Sequence, residues 1–332
     1  MVQRHIWTNV HTTLQQNLRQ KRLLGKQQRL LIALSGGQDS LCLTKLLLDL
    51  QPKWQWHLAI AHCDHRWASD LGLAQHVEKI AQTWQLPFYL KVAPNAASKN
   101  QETEAAARKW RYQALQEIAQ EHNFKVVITA HTKSDRAETL LYNLIRGSGA
   151  DGMSALNWQR YLSSEIELVR PLLNISRQET GEFCQQFQLP IWEDVVNQNL
   201  NYARNRLRLE IMPQIKRHFN PQLETALAQT SDLLKADVDY LETCAQKLLE
   251  QALMSDSRGL NRLMLRQQHL AIQRRVMRKF WQQAIPQAPT FEQIESLTNL
   301  INAPNRSRTS SLPGKLVAQV SGDYILLQLL SS

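Results

Sequence analysis

One short loop constrains this chain more than any other feature. Leu34-Ser35-Gly36-Gly37-Gln38-Asp39-Ser40 stands directly after an apolar run at 30–34 and directly before a leucine-rich helical run at 41–50. Two adjacent glycines let the backbone approach an anion closely. The helix that follows presents N–H groups without intrahelical acceptors and a partial positive charge. A lone Ser-Gly-Gly would be explained by a capped helix behind a glycine turn. The full Ser-Gly-Gly-x-Asp-Ser string between a strand and a helix reads instead as a phosphate cradle. It is not the GxxxxGK[ST] loop, since no lysine follows Gly37, so the usual motor and switch nucleotidases are disfavoured.

The surrounding pattern extends this strand-turn-helix unit. Short apolar runs at 30–34, 57–61, 88–92 and 126–130 alternate with helical patterns at 40–50, 70–85 and 102–121, the alternation of βαβ units closing a mostly parallel sheet. Ligands bind such sheets where the strand order reverses. At 332 residues the chain has room for two domains, and we expect a catalytic domain over 1–215 and a helix-rich region over 216–332. The latter opens with a long helix carrying Leu223, Leu227, Leu234, Val238, Leu241, Ala245, Leu248 and Ala252. It ends in a hairpin of 316–320 and 324–329 turning at Ser321-Gly322-Asp323.

With 39 Lys+Arg against 29 Asp+Glu, the net charge of +10 points to an anionic partner, nucleic acid first. Ten of these cations and only three acids fall between Ser255 and Lys315, so that stretch carries +7 of the excess. Its Arg274, Arg275 and Arg278 are taken as backbone contacts to RNA, against the plainer alternative of a solvated helix face. Four scattered cysteines (Cys42, Cys63, Cys184, Cys244) form no CxxC or zinc spacing and fit free thiols in a reducing, cytoplasmic setting. The apolar runs are too short for a membrane span. The acid-free start has a feature of transit peptides. Ile6, Val10, Leu14 and Leu18, every fourth residue, favour a packed first helix.

Further motifs follow the loop in a fixed order. Glu104-Ala105-Ala106-Ala107-Arg108-Lys109-Trp110-Arg111-Tyr112 comes first, then His131-Thr132-Lys133-Ser134-Asp135-Arg136-Ala137-Glu138-Thr139 and Arg146-Gly147-Ser148-Gly149. Arg170-Pro171-Leu172-Leu173, Glu193-Asp194 with Asn197, and Tyr202-Ala203-Arg204-Asn205-Arg206-Leu207-Arg208 complete the series. The loop resembles that of the PP-loop ATP pyrophosphatases, which split ATP between its α and β phosphates and adenylate a carbonyl-type oxygen. Over about the first 215 residues the whole series resembles the tRNA(Ile)-lysidine synthetases. Ser134 stands where that pattern often has a second Asp.

The resemblance implies an α/β fold of the adenine nucleotide alpha hydrolase type. It implies an enzyme that uses ATP and Mg2+ to join free L-lysine to C2 of the wobble cytidine of tRNA(Ile) with a CAU anticodon, changing codon specificity from AUG to AUA. It assigns Ser35, Gly36, Gly37, Gln38, Asp39, Ser40 and His62 to the nucleotide, with Asp39 a possible magnesium ligand. Asp39, Asp135 and Arg111 are implied to be catalytic. Arg108, Asp135, Glu138 and His131 are implied to hold lysine, and Arg204, Arg206 and Arg208 to hold tRNA.

Each assignment competes with a plainer one. Asp135 and Glu138, three apart at a helix start, would complement the helix dipole. His131 would be a satisfied strand-end residue, and Arg108 and Arg111 solvated helix arginines. His62-Cys63-Asp64-His65 alternates across a strand and makes a poor metal cage. Either Asp39 or Asp135 would serve as the base that frees the lysine amine. A homodimer is a possible assembly. Two rival functions are a PP-loop tRNA cytidine thiolase, disfavoured by the missing CxxC pairs, and a non-catalytic basic RNA-binding protein, disfavoured by the intact loop.

Overall fold

The computed structural model describes residues 6–67, 70–94, 104–154, 156–192, 199–255 and 258–329. Two compact units divide it, Met1–Leu233 and Leu234–Ser332.

The first unit is built on a six-stranded sheet. Strands β1 (Arg29–Ala33), β2 (His57–Asp64), β3 (Phe88–Val92), β4 (Val126–Ile128) and β6 (Glu167–Val169) run parallel, and β5 (Gln159–Tyr161) pairs antiparallel with β6. The order β3-β2-β1-β4-β6-β5 puts β2 and β4 on opposite sides of β1. The chain therefore reverses its direction of travel at β1 and β4, and a crevice opens beyond their C-terminal ends.

Alternation along the central strands supplies two cores. Leu30 and Ile32 of β1 join leucines of α1 (Asn9–Gln20) and α2 (Gln38–Trp54), Val77 of α3 (Leu73–Thr83) and Phe183 of α7 (Arg177–Gln186). On the other face Leu31 meets Leu115 and Ile118 of α4 (Glu104–Glu121). Each leucine buried in this way contributes about 1.5–3 kcal/mol relative to leaving it exposed.

α5 (Lys133–Ile145) follows β4, and α6 (Ala150–Met153) leads toward the edge of the sheet. From Ala203 to His218 the chain is helical without a break. α8 (Ala203–Arg206) passes through a π-helical turn at Leu207–Ile211 into α9 (Met212–His218). α10 (Leu223–Ala252) crosses the division between the units.

In the second unit, the later part of α10 packs Ala245 and Leu249 with Val276, Phe280 and Trp281 of α12 (Leu270–Ala284) and Leu297 of α13 (Phe291–Asn299). The hairpin of β8 (Leu316–Ser321) and β9 (Tyr324–Leu329) forms as expected. It gains a third, antiparallel strand, β7 (Gly259–Asn261), ahead of α11 (Arg262–Arg266).

Two sequence readings change at their edges. The fourth strand ends at Ile128, two residues early; the Thr129 N–H still donates to the Val169 carbonyl (3.0 Å) while its hydroxyl bonds His131. β5 and β6 were not foreseen, being only three residues each and, in β5, wholly exposed.

Gly36 lies at φ +86°, and a Cβ there would come within 2.6 Å of the Leu73 side chain. Gly36→Ala should therefore cost about 1–2 kcal/mol from the left-handed backbone alone. The drop would be read as a lower denaturant midpoint at unchanged m value; an unchanged midpoint would mean that the turn does not need glycine.

Candidate active site

The loop after β1 is braced from within. The Ser40 hydroxyl accepts from the Ser35 N–H (3.2 Å) and hydroxyl (3.1 Å) and donates to the Gly37 carbonyl (2.8 Å). Ser40 thus shapes the cradle rather than facing into it. Gly37 caps α2 with ordinary φ, and a Cβ on it would meet nothing closer than Ser35 Oγ at 3.7 Å, so the space above it is open.

His62, on β2, donates from Nδ1 to the carbonyl of Leu34 (2.8 Å), the residue that leads into the loop. Burial pushes its pKa down, and its buried Nε2 has no partner. An orphaned acceptor beside an open, glycine-lined helix N-terminus fits an adenine nucleotide, which carries both donors and phosphates.

Asp39 and Asp135 occupy first turns of helices that start at neighbouring strands, α2 after β1 and α5 after β4. Thr132 caps α5, and its N–H (2.8 Å) and hydroxyl (2.9 Å) both donate to Asp135 Oδ2. One turn on, Glu138 is buried. A single residue not singled out in the sequence joins all three. Arg177 donates from Nε to Asp39 (3.1 Å) and from Nη2 to Asp135 (3.0 Å), and its Nη1 lies 3.7 Å from Glu138.

Arg208 grips Glu138 with a two-pronged fork (2.7 and 2.8 Å), and Arg204 Nε stands 3.7 Å from the same carboxylate. The π-helical turn lies between α8 and α9, and from this helix Arg204 and Arg208, four apart, both reach Glu138. Arg206 turns away to the carbonyls of Leu200 and Asn201.

These surroundings drive the two aspartates apart. For Asp39 burial outweighs Arg177 and Thr180 and raises the carboxyl. For Asp135 burial is overcome by Arg177 and the Thr132 N–H, which hold it at about 2. Arg177 itself is held charged: burial opposes its charge, but the carboxylates outweigh burial and raise its pKa.

Gln38, expected at the nucleotide, spends its amide on Thr180 Oγ1 (3.1 Å) and the Arg177 carbonyl (2.7 Å), tying α2 to α7. Ser134 donates to Glu224 (2.7 Å) and accepts from the Arg177 N–H (3.0 Å), a bracing role. Among the described residues no three His, Cys, Asp or Glu side chains cluster to hold a metal by themselves. Asp39 is the carboxylate at the cradle. That matches a hard divalent cation held by one carboxylate together with substrate phosphates.

His131 bonds Thr129 Oγ1 (3.0 Å) and is kept neutral by burial and by Arg170. Arg108 and Arg111 lie over the Tyr112 ring at 5.2 and 5.7 Å. In the second unit Arg274 forks Glu295 (2.6 and 2.8 Å). Arg275 and Arg278 share Glu242 with Lys279. Glu193, Asp194 and Asn197 lie outside the described residues.

Arg177 and Thr180 escaped the sequence reading because they touch Asp39 from 138 and 141 residues away. The available signal was the capping box Ser176-x-x-Glu179, which sets Arg177 at the first position of a helix.

A family model described as a PP-loop domain matches residues 7–215, and one described as the TilS substrate binding domain matches 260–323. The chain is 54% identical to the tRNA(Ile)-lysidine synthase of Nostoc sp. (strain PCC 7120) over 97% of its length and 98% of that protein's. It is 54% identical to the one from Synechocystis sp. (strain PCC 6803), over 96% and 97%. The chloroplastic enzyme of Zygnema circumcarinatum is 34% identical over 95% of this chain and 89% of its own length. Among solved structures, the U34-tRNA thiolase NcsA from Methanococcus maripaludis with its [4Fe-4S] cluster aligns with a TM-score of 0.57 at 14% identity. That match covers 68% of this chain and 78% of the thiolase, and bears on the fold alone. On the full-length identity and the matched PP-loop domain, this chain belongs to the tRNA(Ile)-lysidine synthase family of ATP-using PP-loop enzymes.

Proposed function

We propose that the site makes lysidine in two steps on one surface. In the first, the C2 oxygen of the wobble cytidine attacks the α phosphorus of ATP, an O–P bond forms, and the bond to pyrophosphate breaks. In the second, the ε-amine of free L-lysine attacks C2, and the C–O bond breaks with AMP as leaving group. The chemistry needs the first step because an exocyclic oxygen leaves poorly until it carries a phosphate ester. The observation that carries this reading is that Arg177 joins the cradle residue Asp39 to the buried carboxylates Asp135 and Glu138, so phosphate and ammonium sites adjoin.

The Gly36-Gly37 turn and the first N–H groups of α2 receive the negative charge of the departing pyrophosphate. Asp39 would hold magnesium there, where the ion would neutralise phosphate charge. Asp135 and Glu138 anchor the ammonium groups of lysine, with Arg108 and His131 toward its carboxylate and Arg111 beside the reacting phosphate. A carboxyl held at about 2 is a charge anchor rather than a proton acceptor. Asp39, whose carboxyl is pushed up, takes the ε-proton after pyrophosphate has left.

Arg204, Arg206 and Arg208 line the approach of the RNA, and Arg274, Arg275 and Arg278 hold its backbone. Glu242 meets Arg275, Arg278 and Lys279 together, which gathers these three cations in one place. Among the described residues no helix is long and apolar enough to cross a membrane. A cytoplasmic setting and a homodimer complete the reading. The test is pyrophosphate release with tRNA, ATP and lysine, with lysine omitted in one arm and replaced by other amino acids in another.

Two variants divide the roles. Gly37→Val fills the open space above the cradle without straining the backbone. It should abolish ATP consumption while leaving the melting temperature and tRNA binding intact, and normal turnover would sink the cradle assignment. Asp135→Asn and Glu138→Gln should each raise the KM for lysine by about tenfold or more, worth roughly 1.4 kcal/mol, and change the KM for ATP far less. Variants that kept lysine dependence and lost only ATP affinity would move the pair to metal binding.

A further inference from the structure

Beside the carboxylate site lies a second cleft of about 410 Å³, lined by Arg108, Tyr142, Asn157, Arg160, Arg170 and Arg204 among others. It connects to the site through Arg204, which donates to Thr139 Oγ1 (2.8 Å) and faces Glu138. Its charge is unbalanced. Among the described residues no carboxylate lies within ion-pair distance of Arg108, Arg160 or Arg170.

Arg170 is the most informative of them. It is only 2% exposed, its Nη1 donates to the Asn157 carbonyl (2.7 Å), and its buried Nε has no partner. Burying a guanidinium with no carboxylate beside it is costly, and an anion in the cleft would offset that cost through the charge. The phenol of Tyr112, beneath these cations, reports the same field. Burial would raise it, but Arg108, Arg170 and Arg111 bring it down to about 8.

Three anions are available to such an enzyme: the triphosphate, the lysine carboxylate and the RNA backbone. Arg170 directly follows β6, and β4 stands between that strand and β1, which leads into the cradle. The two sites are thus about 10 Å apart along the sheet. A triphosphate seated at the cradle after β1 leaves this cleft to another anion. A single carboxylate would leave most of this positive charge unanswered.

The rim also interleaves aromatics with arginines. Arg160 lies over Tyr112 at 4.7 Å, Arg146 over Tyr142 at 5.5 Å, and Tyr161 next to Arg160 is 69% exposed on the edge strand β5. Guanidinium forks with an exposed tyrosine near them suit phosphodiesters flanked by unstacked bases. We propose that this cleft binds the RNA backbone phosphates next to the reacting cytidine, with Arg160 and Arg170 as the phosphate ligands. The proposal rests on the chain acting on tRNA.

The test uses the full chain and an anticodon stem-loop RNA with a CAU loop, either unmodified or carrying a single neutral methylphosphonate on one side or the other of the cytidine. Arg160→Ala, at an exposed position on the rim, should weaken binding of the unmodified RNA by about 5- to 10-fold. It should also make the slope of log affinity against log salt shallower by about 0.7, with the KM values for ATP and lysine unchanged. One of the two methylphosphonates should cost the wild-type protein a similar factor and cost Arg160→Ala nothing further. Arg160→Lys should restore the salt slope and only part of the affinity, since lysine keeps the charge without the fork.

A raised KM for lysine or ATP at unchanged RNA affinity would overturn the proposal and give the cleft to that substrate. Equal binding of all three RNAs by the wild-type protein would also overturn it. Wild-type turnover with lysine, measured in the same preparation, tests the reaction separately: its absence would defeat the lysidine reading, whereas turnover with phosphate-insensitive binding would defeat only the cleft.

Discussion

The site depends on the mutual neutralisation of three carboxylates and three guanidinium groups. Asp135 and Glu138 are buried and Asp39 is partly so, and Arg177, Arg204 and Arg208 enclose them. The six groups arrive on four segments: Asp39 on α2, Asp135 and Glu138 on α5, Arg177 on α7, and Arg204 and Arg208 on the helix from Ala203 to His218. The charges can meet only if the sheet order, the crossovers and the return of the chain at 170–177 are all correct. Fold and site are therefore one condition rather than two.

The same electrostatics divides the labour among similar residues. Asp39 and Asp135 both sit in the first turn of a helix at adjacent strands, where the helix dipole favours negative charge. What separates them is local: Thr132 gives Asp135 a backbone N–H and a hydroxyl, while Asp39 has Thr180 and a share of Arg177. Two identical carboxyls a short distance apart end with opposite proton affinities.

How much was legible in the sequence follows from how local each signal was. The glycine turn, the first four parallel strands and the hairpin are written in consecutive residues, and they appear within a few residues of where the pattern puts them. β5 and β6 carry too few residues to show a period. Arg177 is invisible for a different reason: its meaning lies in Asp39 and Asp135, 138 and 42 residues away. Arg204, Arg206 and Arg208 look alike as alternating cations. The helix gives two of them to Glu138 and turns the third to backbone carbonyls. Composition likewise marked Arg274, Arg275 and Arg278 as cations but could not show Glu295 and Glu242 beside them.

The closed ring of hydrogen bonds among Ser35, Ser40 and Gly37 has a thermodynamic side. Because the hydroxyls already hold the turn in its bent form, the loss of backbone freedom that a nucleotide would otherwise impose is met once, during folding. Ligand binding then proceeds without an ordering penalty at this loop. The expense appears instead as a slightly less stable polypeptide, carried permanently by the cores on either side of β1.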